Sequence, residues 1–385
     1  MNKRQYIEAK DEKSEELRKQ LYQKDDVKSL RMRRLLDLPD LSRTEGSPIK
    51  FIADAILDMK AFDNFDVIEI PEIVKVRDNF DLLNAPDDHP SRNETDTYYV
   101  DDKHVLRTQT TVMWPFYLQR QEAIDELGRT GEIGLLSYGK VFRKDEIDRS
   151  HYPVFHQVDG LYICERAKKE ITLKDLQNIL VDIAKHIFGD DVHYKILDDT
   201  FPFTNPSTQI EIEKNGQWLE IVGAGIVHTQ VLKNLDIDPT VYNGWAFGFG
   251  LERLAMIKMD IPDIRVFWSR DPRITRQFKD INSHYEEVSK FPPSYRDISF
   301  IVSKDASVNH FYEIVREGGG DLVEEVRLTD TYKNDEKFGA DNISYTFRIV
   351  YRSPERTLTN DEVNDIQEAV IQKTRDEMSA QIREK

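Results

Sequence analysis

The chain has 385 residues, 39% hydrophobic and 32% charged, with 54 Lys and Arg against 71 Asp and Glu for a net charge of −17. That length holds two or three domains at roughly 100–200 residues each, and no apolar run approaches the ~20 residues that span a bilayer. The acidic balance excludes indiscriminate nucleic-acid binding but not a specific RNA held on local basic patches, and a single cysteine, Cys164, excludes an internal disulfide and reads as a small buried apolar residue.

In chain order, residues 8–36 carry strong helix formers with no Gly or Pro until Pro39. Leu17, Leu21, Leu30 and Leu35 form only a thin apolar stripe, which predicts a solvated helix. The N-terminal stretch mixes acids with bases and lacks an apolar signal core, so the protein is expected in the cytoplasm, or in the mitochondrial matrix if a leader has been removed. A turn at RTEGSP (43–48) leads to an amphipathic helix over Ile49–Phe62 and a strand over Asp66–Ile70 stopped by Pro71. Short β-rich runs follow at 97–100, 105–107, 141–143, 154–163, 208–213 and 218–227, with helices at about 111–128, 172–188 and 250–258. Hairpin-type neighbours, rather than regular strand–helix alternation, predict an α+β architecture with an antiparallel sheet flanked by helices.

The apolar pattern lapses over 280–294, where Pro292 and Pro293 set a boundary. Beyond it come a strand (296–302), a helix (307–317), a glycine turn (318–320), strands (321–329 and 343–351) and a helix (359–378). That order is most of a ferredoxin-like βαββαβ unit, its last strand missing or reduced to the tail SAQIREK. The expected domains are an N-terminal helical extension (1–45), a catalytic domain (46–280), a linker (281–292) and a small C-terminal domain (293–385).

Four stretches concentrate chemistry. GKVFRKDEIDRSHYPVFHQVDGL (139–161) predicts a hairpin able to aim the Arg143 guanidinium at a phosphate and the Phe155 ring at a base. GWAFGFGLERLAM (244–256) lets backbone approach a flat ligand and puts Arg253 near the start of a helix, though its spacing matches neither a Walker loop nor a dinucleotide fingerprint. TFPFTNPS (200–207) sets Phe201 and Phe203 on one side of an extended segment, either as core filler or as a clamp on an aromatic ligand. QWLEIVGAG (217–225) places Glu220 among apolar neighbours, where a carboxylate needs an arginine, an ammonium or a metal as partner.

These pieces, in this order, resemble the phenylalanine–tRNA ligase family of class II aminoacyl-tRNA synthetases, in its single-chain mitochondrial-type form. The 139–161 hairpin looks like class II motif 2, GFGLER like motif 3 and the stretch around Pro71 like motif 1; DDHPSRNETDTYYV (87–100) is a further hallmark. The run from PPSYRDISF to ERTLTNDEV resembles the family's ferredoxin-fold anticodon-binding domain. The resemblance, from about 45 to the C-terminus, implies an ATP-dependent ligase that makes phenylalanyl-adenylate and transfers the acyl group to the 3′-terminal adenosine of tRNA(Phe). Its implied ligands are ATP, L-phenylalanine, Mg2+ and tRNA, with no membrane; the single-chain form implies a monomer, motif 1 a homodimer.

By the same resemblance Arg143 holds the α-phosphate, and Ser150, His151 and Tyr152 belong to the ATP site with His151 near the β- and γ-phosphates. Phe155 stacks on adenine and Arg253 covers its other face; Arg143, Arg253 and Gln157 form the catalytic set. Gln157, Asp159 and Thr111 take the amino-acid head, Phe201 and Phe203 flank its ring, Ala246 ends the pocket with Phe247 nearby, and Glu220 faces the adenosine or a magnesium-bound phosphate. Three positions depart from the family. Gln109-Thr110-Thr111 stands where His-Thr-Ser is common, Asp159 where glutamate is usual, and Asn205 where two-subunit enzymes have a metal-binding glutamate. The first two leave open a same-fold synthetase of altered amino-acid specificity. A non-catalytic RNA-binding paralogue is the reading from another class, opposed by both motif arginines.

Overall fold

The computed structural model describes residues 4–287 and 291–383. It divides into two units: Met1–Arg143 with Val154–Ile261 and Thr275–His284, and Lys144–Pro153 with Pro262–Ile274 and Tyr285–Lys385. The expected linker over 281–292 falls partly on 288–290, which lie outside the described residues.

The first unit begins with β1 (Tyr6–Glu8), which runs parallel to β2 (Asp66–Glu69). Residues 8–36 form two helices instead of one, α1 (Glu12–Gln23) and α2 (Val27–Asp37). Each starts at an aspartate whose carboxylate accepts a backbone N–H, Asp11 from Lys13 at 3.0 Å and Asp26 from Ser29 at 2.9 Å. Two N-caps in one stretch therefore restart the helix. The next helix, α3 (Pro48–Leu57), opens with Pro in its first turn and ends earlier than expected, with a separate helical turn at Lys60–Phe62.

A small antiparallel sheet, β3 (Ile73–Lys75), β4 (Tyr99–Asp101) and β5 (His104–Leu106), precedes α4 (Met113–Leu118) and α5 (Gln121–Thr130). The hairpin is far longer on its first side than the run at 141–143 suggested. β6 (Glu132–Phe142) pairs along its whole length with β7 (Val154–Glu165). Next come α6 (Leu173–Phe188), β8 (Tyr194–Phe201), β9 (Thr204–Lys214), β10 (Gln217–Val227), α7 (Thr229–Asn234), β11 (Tyr242–Gly250) and α8 (Leu251–Lys258). The strands make one eight-stranded sheet in the order β1-β2-β6-β7-β11-β10-β9-β8, antiparallel from β6 onward.

Side chains alternate across this sheet, so it has two distinct faces. The rear is covered by α3, α6 and α8. α6 is capped by a Thr172–Asp175 box and buries Leu176, Leu180, Ile183, Ala184 and Ile187 along one stripe, the larger of these each stabilising by roughly 1.5–3 kcal/mol. On the front, Val112, Met113 and Trp114 pack with Leu135, Leu161, Ile163 and Ala246. This packing stops short of the end of β7 nearest Val154, where the front face carries polar residues.

The second unit is built on β12 (Ser294–Ser303), α10 (Val308–Gly319), β13 (Val323–Tyr332), α11 (Asp335–Phe338), β14 (Asn342–Tyr351), α12 (Asn360–Met378) and β15 (Gln381–Ile382), after a four-residue α9 (Pro272–Thr275) that bridges the two stretches in sequence. Its sheet runs β13-β14-β12-β15, and the last strand is indeed reduced, to two residues paired with Phe300 and Ile301. Phe311 from α10 closes the core, its ring centre 4.9 Å from Phe300 and 4.4 Å from Phe347. The segment 144–153 belongs here: Ile147 is buried in this core and its carbonyl accepts the Val326 N–H at 2.9 Å. Buried Glu324 is ringed by Arg149, Arg265 and Arg352.

Candidate active site

The polar end of β7 carries Phe155, Gln157 and Asp159 on the front face, with His156 and Val158 between them turned to the rear. Arg143 follows β6; its Nε donates to the Thr108 carbonyl at 2.9 Å and its guanidinium lies 5.1 Å from the centre of the Phe155 ring. Thr108 is itself held by buried Asn79, which gives its side-chain N–H to Thr108 Oγ1 at 2.9 Å and accepts the Thr108 N–H at 3.1 Å. Thr110 donates its backbone N–H to Gln157 Oε1 at 3.3 Å.

Asp159 is buried, and each carboxylate oxygen takes one threonine hydroxyl, Oδ2 from Thr110 and Oδ1 from Thr111 at 2.6 Å. Burial pushes its carboxyl up to about 6, against the pull of the two hydroxyls and of Arg143. A negative charge held this way favours a cation arriving at the same place.

Beside Asp159 the sheet becomes a floor almost without side chains. Gly248 lies opposite Asp159, Gly223 opposite Gly248, and Gly225 opposite Ala246. The bareness is required: a Cβ on Gly223 would stand 2.6 Å from the tip of the Phe201 ring. Phe201 and Phe203 are parallel, ring centres 5.8 Å apart and planes 5° off, and Trp114 meets Phe203 edge-on at 5.8 Å. The two phenylalanines thus lie over the glycine floor, the arrangement that the clamp reading needs. Phe247 does not join them. As the neighbour of Ala246 it faces the rear, where its ring packs on Phe62, Trp245 and Phe249 and sits over Gly160. The expectation of Phe247 in the pocket fails on strand alternation alone.

Glu220 also differs from its expectation. It is exposed on β10, directly opposite Glu211, so it needs no buried partner. Lys195 holds Glu211 at 2.6 Å. Arg253, exposed in the first turn of α8, donates to the Glu220 carbonyl at 3.2 Å. Among the described residues no three His, Cys, Asp or Glu side chains are grouped to hold a metal.

Ser150, His151 and Tyr152 lie in the second unit. Asp148 accepts the Ser150 and His151 backbone N–H groups at 2.6 and 2.8 Å, and its other oxygen lies 2.8 Å from His151 Nδ1. Burial would raise the Asp148 carboxyl, but the His151 and Ser150 contacts outweigh it and hold the group far below the usual carboxylate range. Tyr152 stacks on Trp268 at 5.4 Å with Arg316 5.7 Å from its ring, and burial pushes its phenol up to about 12.

The first unit thus brings Arg143, Phe155, Gln157, Asp159, Thr111, Phe201, Phe203, Ala246 and Glu220 to one face of the sheet, while Arg253 stands at the start of α8 and reaches the Glu220 carbonyl. Sequence reasoning missed Thr110, Asn79 and Thr108. Thr110 had a visible signal, a second hydroxyl beside Thr111, but Asn79 sits 29 residues before its partner and nothing local marks it.

Residues 36–278 match the family model described as tRNA synthetases class II core domain (F), and residues 289–383 that of the ferredoxin-fold anticodon binding domain. The chain is similar to the chloroplastic/mitochondrial phenylalanine–tRNA ligase of Arabidopsis thaliana, 43% identical over 268 residues that cover 67% of this chain and 61% of that protein. It is 37% identical to the mitochondrial phenylalanine–tRNA ligase of Mus musculus over 281 residues, 64% of this chain and 61% of the relative. With the probable mitochondrial phenylalanine–tRNA ligase of Drosophila melanogaster it shares 34% over 312 residues, 67% and 68% of the two chains. The chain spans about 61% of the length of the first two relatives.

Proposed function

The chain belongs to the phenylalanine–tRNA ligase family of class II tRNA synthetases, and from that premise we propose that it activates phenylalanine with ATP and transfers it to tRNA. The observation that carries the proposal is the front face: parallel Phe201 and Phe203 over a glycine floor, with the buried carboxylate of Asp159 opposite Gly248. A flat apolar ring stacks on such phenylalanines, and the ammonium of the same amino acid offsets the charge on Asp159. Arg143, held on the Thr108 carbonyl near Phe155 and close enough to pull the Asp159 carboxyl down, is proposed for the α-phosphate, and Phe155 and Arg253 are the residues proposed to hold adenine.

In the first step a carboxylate oxygen of phenylalanine attacks the α-phosphorus of ATP, the bond to the β-phosphate oxygen breaks, and pyrophosphate leaves. In the second, a hydroxyl of the tRNA's terminal adenosine attacks the acyl carbon and AMP leaves. The protein contributes position and charge: Asp159, held by Thr110 and Thr111, fixes the ammonium, and Arg143 neutralises the charge that grows on the α-phosphoryl oxygens. Glu220, exposed opposite a Glu211 already paired with Lys195, presents a hard oxygen donor that would suit Mg2+ if phosphate and water completed its shell. The ion would supply charge neutralisation on the phosphates.

The C-terminal unit is proposed to contact the anticodon arm, on the sheet face turned away from α10 and α12, where Tyr295 is 55% exposed and Arg348 pairs with Asp297. The relatives are named mitochondrial or chloroplastic, which supports the organellar alternative over the cytoplasmic expectation. Incubation with ATP, Mg2+, radiolabelled phenylalanine and tRNA tests the proposal. Acid-insoluble label that disappears on ribonuclease treatment supports it; label that never enters the RNA fraction contradicts it.

A further inference from the structure

Behind the front face lies a buried pair that the proposed chemistry does not use. His156, between Phe155 and Gln157 in β7, turns to the rear and meets Glu252 in the first turn of α8. One oxygen of Glu252 accepts the His156 backbone N–H at 2.8 Å, and the other lies 2.6 Å from its Nδ1. Across the ring, the Leu41 backbone N–H donates to Nε2 at 3.0 Å. Nε2 is therefore the acceptor, and the ring proton sits on Nδ1, directed at Glu252. Asp40 Oδ1 is 3.5 Å from Nε2.

Glu252 thus grips both the backbone and the side chain of one strand residue, and its neighbour in the helix is Arg253. Apolar packing between α8 and β7 is non-directional and leaves the helix free to slide by a fraction of a turn. Two hydrogen bonds from a single carboxylate remove that freedom. The residues on either side of the gripped position are Phe155 and Gln157, and Arg253 is held in turn on the Glu220 carbonyl at 3.2 Å. We propose that His156 and Glu252 are a positioning pair for nucleotide binding, fixing Arg253 at the distance from Phe155 that a purine fills. The inference deepens the reading above and rests on it. It also gives residues 40 and 41 a part in the site, since the Leu41 N–H sets which ring nitrogen carries the proton.

The donor pattern makes the test specific. In Glu252→Gln one acceptor becomes a donor, so whichever way the amide turns, either the His156 backbone N–H or the ring Nδ1–H meets an NH2 group and one of the two grips is lost. His156→Gln keeps an acceptor near the Nε2 position but loses the donor to Glu252. His156→Asn does the reverse, keeping a donor where Nδ1 stands. Amino-acid-dependent ATP–pyrophosphate exchange is measured on the full chain and on each variant shown to be folded by circular dichroism. The expected result is an ATP KM raised about fivefold or more in Glu252→Gln and His156→Gln, with the phenylalanine KM within about twofold. In His156→Asn both constants stay within about twofold of the unaltered chain, although its melting temperature falls. An unchanged ATP KM in the two gripping variants, or equal rises in both KM values, overturns the proposal, as does His156→Asn failing as badly as His156→Gln. If the unaltered chain catalyses no exchange, the functional reading fails separately. ATP calorimetry on the same variants then decides the pair: weaker ATP binding by the two gripping variants alone supports it, and equal affinity throughout overturns it.

Discussion

On the proposed function, a carboxyl at position 159 whose folded pKa is about 6 would tie phenylalanine binding to pH. The folded value lies above the unfolded one, so between pH ~4 and ~6 the folded state binds the extra proton and stability falls as pH rises. Above pH ~6 the full penalty is present, about 3 kcal/mol for a shift of roughly two units in a fully buried group. An ammonium docking there offsets it. Phenylalanine binding below pH 6 should therefore release protons, and kcat/KM for phenylalanine should fall about tenfold per pH unit below that point. Calorimetry in two buffers of different ionisation enthalpy reads the first, and a pH series of exchange rates the second. Asp159→Asn should raise the melting temperature by several degrees, at roughly 2–4 °C per kcal/mol in a unit of this size. It should also weaken phenylalanine binding about 100-fold, the loss expected when a buried ion pair loses one member.

Gly223→Ala tests the floor. The added methyl must displace the Phe201 ring, so the phenylalanine KM should rise about tenfold, an overpacking effect of 1–3 kcal/mol, while the ATP KM stays unchanged. Phe201, Phe203 and Asp159 were legible as candidates beforehand, because they carry their chemistry in their side chains. Thr110 and His156 were not, because their roles come from partners 49 and 96 residues away. Phe247 was misplaced for a simpler reason: adjacent strand residues cannot face the same pocket.

At the scale of elements, Arg107 shows how the site is braced. It follows β5, is buried, and donates from Nε to the Lys140 carbonyl in β6 and from Nη1 to the Ile70 carbonyl just after β2, each at 2.7 Å. One guanidinium thus pins three chain segments behind Arg143. Arg107→Leu leaves two buried carbonyls unsatisfied and removes one of the cations around Asp40 and Glu72, which keep Arg43 and Lys140. It should cost about 3–5 kcal/mol, read as a lower urea midpoint at constant m-value. The long hairpin that carries the site was only half visible in the sequence. β6 is buried on both faces over most of its length, so its apolar residues run without alternation, and only its last residues beside Arg143 stood out. β7, with polar residues alternating on the front face, was read nearly to its true ends. The pair of N-caps that splits residues 8–36 was also there to be read, since Asp11 and Asp26 each precede a helical stretch.

For the whole molecule, the net charge of −17 means that the proposed tRNA partner would have to be held by local contacts against a repulsive field. Tyr295→Ala in the C-terminal unit should weaken tRNA binding by about 1–3 kcal/mol if the exposed ring stacks on a base. Phenylalanine activation without tRNA should be unchanged. Filter binding at two salt concentrations, alongside exchange without RNA, separates the two effects. The central claim, that the front-face slot takes phenylalanine and presents it to ATP, is tested most directly by ATP–pyrophosphate exchange with each of the twenty amino acids in turn. A dominant phenylalanine signal, reduced about 100-fold or more by Asp159→Asn, is the predicted result. Dominant exchange with a different amino acid, or no exchange from a folded chain with and without tRNA, would contradict the account.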